Sequence, residues 1–560
     1  MKSPFSLRWA WGLLLLPALL LLWQLDYAPF WNPDEGRYAA ASFEMAFGLG
    51  NGKTDWLVPH LNTLSRLNKP PLVYWLAGGS FSTFGPSEWS GRLVPALAAI
   101  AVLVVLFCWN RARFGTRAGL GAACVWATML LPFALARTLN TDMLLTASMT
   151  LALWGLSGAI RSPHRAGAAI GVGLGLALLA KGPVGVALPA GIWALHALFT
   201  RRSEIAGKSW FVALLLAAMV GLPWYFAVAF ERPEFLRGFL FSENLARFSG
   251  GGEFHESKPF FYYLPVMLAG MFPWTGFLGG LGVRLAPDKQ RRRAIWFLWI
   301  WLILVVGFFS LSGTKLISYV LPAFPALALL LGASVAQWQL WPLWARRLAI
   351  FSTPALWGAV VVGLWAVLKQ GKIVPLEAVA PFLWILAAII LAGLCAWIFA
   401  AQHGRSRWIL VVHCVLTGFV WMTILPLAST LARYEDASAA FVALQPVLKK
   451  DDQIVAWKSF TPSGIFYARR PLTQFGFYNS SGLRREEIAA SPLFQAATER
   501  EAATFLASKH RVFWIVRRSA PAFVTSRLHL WGRNNDFWLY SNRAKPADFS
   551  FDFVAPRKRG

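Results

Sequence analysis

The stretch FWNPDEGRYAAASFEMA places Asp34 and Glu35 side by side just past an apolar run, with Arg37 close behind. Lone lysines follow in equally unlikely settings. Lys69 opens NKPPLVYW, Lys181 interrupts LLAKGPVGVALP, and Lys315 sits in LSGTKLISYVLPAFPALALLLG with Tyr319 four residues on. Asp142 lies in RTLNTDMLLT; Glu243, Arg247 and His255 fall in one polar loop. Lysines and arginines suit phosphate oxygens, and a carboxylate among them can act as a base or bind a metal. Plainer readings compete. A lysine at a membrane edge snorkels, Asp142 stands where a helix N-cap belongs, Glu35 is a cap or a supporting partner, and a lone His255 is a loop hydrogen-bonder as readily as a metal ligand.

The two prolines after Lys69 predict an extended, rigid presentation of that lysine. Gly182 and Pro183 predict a turn with Lys181 at its tip.

These residues are embedded in an apolar chain. Of 560 residues 57% are hydrophobic and 14% charged, against about 25% charged in soluble domains. The chain therefore reads as a polytopic α-helical membrane protein. Its 30 tryptophans are expected at membrane interfaces. Cys108, Cys124, Cys395 and Cys414 all lie in apolar runs and read as buried small hydrophobes. The first apolar run, Trp9 to Leu25, lacks a small-residue cleavage site and reads as an uncleaved span. Twelve more fall near 91–109, 117–134, 141–160, 167–180, 182–200, 210–230, 263–283, 294–312, 317–337, 349–368, 380–401 and 407–428. With the N-terminus cytoplasmic, the inner loops become RARFGTR, RSPHR, RRSEIAGK, RLAPDKQRRR, ARR and QHGRSR. All are basic, as the positive-inside rule requires. They account for much of the +27 net charge, so no nucleic-acid partner is implied.

The acids, lysines, His255 and Tyr319 then map to the outer face. Ionisable groups there are costly unless they line a wet cavity or bind something. Loops 26–90 and 231–262 extend outside a membrane domain of residues 1–428. Residues 429–560 lack long apolar runs and carry the strand-like QIVAWKS and RVFWIVRR around a helical REEIAA. They predict a small soluble α/β domain on the outer, periplasmic side.

In order along the chain stand NPDEGRYA, Asp55 in DWLVPHLN, KPPL.YW, Arg92 in EWSGRL, NTDM, KGP, SENLARF, HESKPFFYY and TKLISYVLPAFPALALLLG. Together they resemble membrane glycosyltransferases of the GT-C type that use polyprenyl-phosphate sugars, above all the 4-amino-4-deoxy-L-arabinose transferases of lipid A. The resemblance covers residues 9 to 335; the tail matches in length and position alone. It implies thirteen helices, a periplasmic C-terminal domain in the bacterial inner membrane, and inverting transfer from undecaprenyl phosphate to a lipid A phosphate. Asp34 would be the leading catalytic carboxylate with Asp142 beside it. Lys69, Lys181, Lys315, Arg37 and Tyr319 would handle the donor phosphate, and Glu35, Arg92, Glu243 and Arg247 would support them. The chain would act as a monomer, making the outer membrane less negative and less open to polymyxin. Asn68 departs from the glutamate common in relatives, which weakens a divalent-metal site using His255. The LIS after Lys315 replaces a Leu-Pro-Tyr pattern. Another sugar or acceptor fits the same motifs. A lipid-linked-sugar transporter is the competing class, opposed by the lack of inverted repeats and of an inner-face polar set.

Overall fold

The computed structural model describes residues 7–49, 53–201, 207–239, 258–282, 288–369, 374–402, 406–476, 483, 485–518 and 520–554. Glu243, Arg247 and His255 lie outside them. Among the described residues eight helices are long and apolar enough to cross a membrane: Glu88–Phe114, Pro163–Lys181, Gly207–Glu231, Lys289–Leu311, Ile317–Val335, Leu343–Ala366, Leu376–Ala400 and Leu410–Glu435. The interval 263–283, read from sequence as one span, is two pieces, Phe260–Gly270 and Trp274–Leu281, bent by 108°. Pro273 at the break has no N–H for a continuing helix. Shorter helices occupy the remaining predicted intervals: Leu7–Leu22, Thr116–Thr128 with Leu130–Leu135, Thr141–Leu156 and Val184–Thr200. The last described span runs on to Glu435, past the expected limit at 428.

Burial separates the spans. Within its apolar window Ile317–Val335 is 83% buried, whereas Leu343–Ala366 and Leu376–Ala400 are each 17% buried. The former is the bundle's axis and the latter two are its rim. Cys395 on the rim is exposed, against the expectation of burial, because its helix offers most of its surface outward. Eight tryptophans are almost fully buried rather than interfacial. Several turn the indole N–H to an internal acceptor, as Trp301 does to the Pro322 carbonyl at 2.7 Å and Trp126 to the Ala99 carbonyl at 2.9 Å.

Close packing sets the helix that ends in Lys181. Gly167 and Gly171 are one helical turn apart, and a Cβ on either would lie 2.5 Å from a carbonyl of the neighbouring helix, that of Ser209 or Ala213. Small residues at this spacing let two backbones touch, the usual device for joining helices in lipid.

The tail folds into a seven-stranded sheet. In chain order the strands are β1 Gln453–Trp457, β2 Thr473–Phe475, β3 Phe494–Gln495, β4 Val512–Arg517, β5 His529–Asn534, β6 Phe537–Ser541 and β7 Asp552–Phe553. Their spatial order is β3-β2-β1-β4-β6-β5-β7. The pairs among β1 to β4 are parallel, and β6 runs antiparallel to both β4 and β5. QIVAWKS and RVFWIVRR supply the central strands, and REEIAA is the helix Arg485–Ala490. Side-chain alternation gives the sheet two different faces. Val455, Trp457, Trp514 and Val516 pack with Ala502 and Val524 in a core of their own. Ile454, Phe513, Ile515 and Leu539 point the other way and join the core that is continuous with the membrane helices.

That second face carries the seam between the tail and residues 26–90. Phe30 N donates to Tyr467 Oη at 2.8 Å, and Tyr467 Oη donates to Glu88 at 2.6 Å. Asn62 and Leu472 exchange two hydrogen bonds of 2.8 Å. Ser65 Oγ bonds the Glu487 carboxylate at 2.5 Å.

Candidate functional site

Helix Asp34–Phe47 begins with both acids in its first turn, where negative charge is favoured. Successive helical residues point about 100° apart, so the two acids face different surroundings. Asp34 has a side chain 69% exposed, paired with Arg37 one turn on. Glu35 is 1% exposed. Its carboxylate takes both Arg92 Nε and Nη2 at 2.8 Å, the Leu139 N–H at 3.0 Å and the Trp31 N–H at 3.2 Å. Arg92, buried in turn, donates to the carbonyls of Leu25, Ala28 and Pro29 at 2.6–3.0 Å. Glu35 and Arg92 thus tie residues 25–35 to the helix at 88–114 and to the segment just before Asp142.

Asp142 sits in the first turn of helix Thr141–Leu156, 6% exposed. The helix N-cap is Asn140, whose side chain accepts the Asp142 N–H at 2.9 Å, so the capping role read onto Asp142 belongs to its neighbour. Asp142 instead pairs with Lys181. Lys181 ends its helix before Gly182, which takes φ +80°, as the turn reading expected. Its ammonium lies 4.2 Å from the centre of the Tyr319 ring, a cation–π distance. Lys315, 7% exposed, donates to the Ser312 carbonyl at 2.6 Å.

Lys69 is half-buried at a bend. Lys69 and Pro70 lie before the helix, while Pro71 has φ −83° and ψ −11°, not extended, and serves as N-cap of helix Leu72–Phe84. Proline tolerates a helix start because no intrahelical N–H is needed there. Asp55 accepts the N–H groups of Leu57 and Val58 at 2.9 Å and lies 3.9 Å from His60.

The structure adds residues that sequence reasoning missed. Arg66, 1% exposed, donates to Tyr74 Oη at 3.1 Å and lies 6.0 Å from the Tyr38 ring. Burial first, and then Tyr74, pushes the Tyr38 phenol above its ordinary range; Arg66, Arg37 and Asp142 act on it electrostatically. Six residues further along the helix, burial pushes Glu44 up to about 7, opposed by the backbone N–H groups of Thr63 and Asn62. The sequence offered little signal: Arg66 stands eight residues before Tyr74, and nothing local ties residue 66 to residue 38.

Among the described residues no group of three His, Cys, Asp or Glu side chains could hold a metal. Asn68 offers a neutral amide oxygen, buried without a hydrogen-bond partner, which by itself is a poor donor set for a divalent cation.

Residues 68–226 match the family model of dolichyl-phosphate-mannose-protein mannosyltransferases. The chain is 31% identical over 337 residues to the undecaprenyl phosphate-alpha-4-amino-4-deoxy-L-arabinose arabinosyl transferase of Aeromonas salmonicida, covering 58% of this chain and 60% of that one. The first relatives are thus matched over about three fifths of their length. The protein of the same name from Erwinia tasmaniensis is 30% identical over 430 residues, 73% of this chain and 75% of its own. In fold, the chain is similar to the crystal structure of ArnT from Cupriavidus metallidurans bound to undecaprenyl phosphate, with a TM-score of 0.79 and 20% identity over 96% of this chain and 99% of that one. The apo form gives 0.73. With 30% identity to the Erwinia protein over 75% of its length, the chain belongs to the undecaprenyl phosphate-alpha-4-amino-4-deoxy-L-arabinose arabinosyl transferase family.

Proposed function

We propose that the chain transfers 4-amino-4-deoxy-L-arabinose from undecaprenyl phosphate to a phosphate of lipid A, with inversion, at the periplasmic face of the inner membrane. The observation that carries this reading is the Glu35 carboxylate, which binds Arg92 and also the Leu139 N–H. Through it, exposed Asp34 and the Asp142–Lys181–Tyr319 group become parts of one outer-face assembly of acids and cations.

In the reaction an acceptor phosphate oxygen attacks the anomeric carbon. The bond from that carbon to the carrier phosphate breaks, and the electron pair leaves on undecaprenyl phosphate. Charge grows on the leaving phosphate, so positioned cations favour the transition state. Lys69, Lys315 and Arg37 are the candidates, with Tyr319 as a hydroxyl donor. Lys181 acts in company with Asp142: a phosphate reaching it competes with a carboxylate already bound. A phosphate acceptor is ionised near neutral pH and needs little base catalysis, so Asp34 serves to orient the acceptor or the sugar amine. Toward a hydroxyl acceptor it would act as general base.

The accompanying topology has thirteen crossings, a cytoplasmic N-terminus, a membrane domain of residues 1–428 and a periplasmic domain of 429–560, acting as a monomer. Glu243 and Arg247 are assigned supporting roles from the loop outside the described residues. Expression in a host that makes the donor should add a pentosamine to lipid A phosphates, read as a mass shift on isolated lipid A. Each added amine lowers net negative charge and the attraction of cationic peptides such as polymyxin. Unmodified lipid A, with folded protein and donor both present, rules out this substrate pair.

A further inference from the structure

We propose that the C-terminal domain positions Asp34, acting through Asn32, an inference that rests on reading Asp34 as the working acid. Asn32 lies two residues before Asp34. Its Nδ2 lies within hydrogen-bonding distance of Asp436 Oδ1 at 3.0 Å, Ser438 Oγ at 3.1 Å and Ser463 Oγ at 2.7 Å. Its Oδ1 accepts the Ser463 N–H at 3.0 Å, and its own backbone N–H donates to Asp436 Oδ2 at 3.1 Å. All of these partners follow the last described span, some 404 to 431 residues along the chain.

The receptor is built for the purpose. Asp436 is 8% exposed and Ser438 and Ser463 are fully buried. Asp436 also receives the Ser438 N–H at 2.7 Å. Asn534 on β5 donates to the Asp436 carbonyl at 2.9 Å. A continuous path therefore runs from the sheet through Asp436 to Asn32 and on to the Asp34 backbone. Ser438 Oγ adds a bond to the Phe30 carbonyl at 2.6 Å. The helix bearing Asp34 approaches so closely that a Cβ on Gly36 would lie 2.7 Å from Ser463 N.

The division of labour follows from geometry. Asp34 is exposed, and its pairing with Arg37 lies within one helical turn, which leaves its placement relative to the bundle to its neighbours. Glu35 fixes the membrane side, and Asn32 fixes the side of the C-terminal domain. Asn32 touches none of the proposed reacting groups and is a positioning residue.

The test uses the full chain, purified in detergent, with undecaprenyl-phosphate-linked aminoarabinose and lipid A. Asn32→Ala should lower kcat roughly ten- to hundredfold, the scale of a misplacement near 1 Å, with donor KM and melting temperature little changed. Ser463→Ala should cause a smaller loss of the same kind. Asn32→Asp sets a second carboxylate against Asp436 and should lose more. Wild-type kcat in Asn32→Ala, or a loss confined to KM, would overturn the proposal. Should Asn32→Ala fail to fold, the kcat and KM of Ser463→Ala decide. Asp34→Asn, assayed alongside, separates the two readings. Wild-type turnover there removes the role of Asp34 itself. An inactive Asp34→Asn beside fully active Asn32→Ala and Ser463→Ala removes the positioning role alone.

Discussion

Asp34 and Asp142 both occupy the first turn of a helix on the proposed outer face, yet their surroundings are opposite. Asp34 is exposed and pairs with Arg37 on its own helix. Asp142 is buried and pairs with Lys181 from a helix 39 residues away. An exposed pair within one turn contributes little to stability and exchanges readily. A buried pair between helices holds the fold and is costly to break. Similar acids thus differ in access, one exposed and one held in a buried interhelical pair, and the difference comes from what each helix packs against.

Glu35 lies at the architectural extreme, so breaking it should have the largest effect. Glu35→Gln leaves the Arg92 guanidinium buried without a counter-charge, at a cost of about 3–5 kcal/mol. The melting temperature should drop sharply and activity with it. A variant as stable as wild type would mean that the first loop is held by other contacts.

The Asp142–Lys181 pair comes next. In a double-mutant cycle of Asp142→Asn and Lys181→Met, stability should show a coupling of roughly 0.5–3 kcal/mol. The same cycle on Asp34 and Arg37 should give a coupling near the exposed-pair range of about 0.2–1 kcal/mol. Equal couplings would erase the contrast.

A further contrast is a pH slope. Glu44, 6% exposed, has its carboxyl raised by burial to about 7 from an ordinary 4.5. The folded state then binds more protons than the unfolded one between these values, so stability falls as pH rises across that window. Glu44→Gln should flatten this part of the profile and gain on wild type toward pH 8, by at most about 3 kcal/mol. Parallel melting curves for the two proteins from pH 4.5 to pH 7 would remove the assignment.

Much of the scaffold was legible because apolar runs and basic loops are local signals. Every interval read as a span holds helix, and the strand-like QIVAWKS and RVFWIVRR of the tail are its central strands. The lone lysines were equally visible, since a lysine in an apolar run needs a reason. What stayed hidden depends on rotation or on distance. Asp34 and Glu35 are indistinguishable until the helix is turned against Arg92. Asn140 and Asp142 are both good caps, and backbone geometry chooses between them. Pro71 suggested extension, while the helix starting at Leu72 uses it as N-cap. Asn32 gave no sign at all, because its partners lie more than 400 residues away in a domain whose docking no local pattern encodes.

The most direct test of the central claim is turnover by Asp34→Asn in the lipid A assay, measured with its melting temperature. Because the Asp34 side chain is exposed and bears little on packing, the variant should fold and melt like wild type. Its turnover should fall by at least about a hundredfold, the scale of a positioned acid or base. Near-wild-type pentosamine transfer by this folded variant would contradict the account.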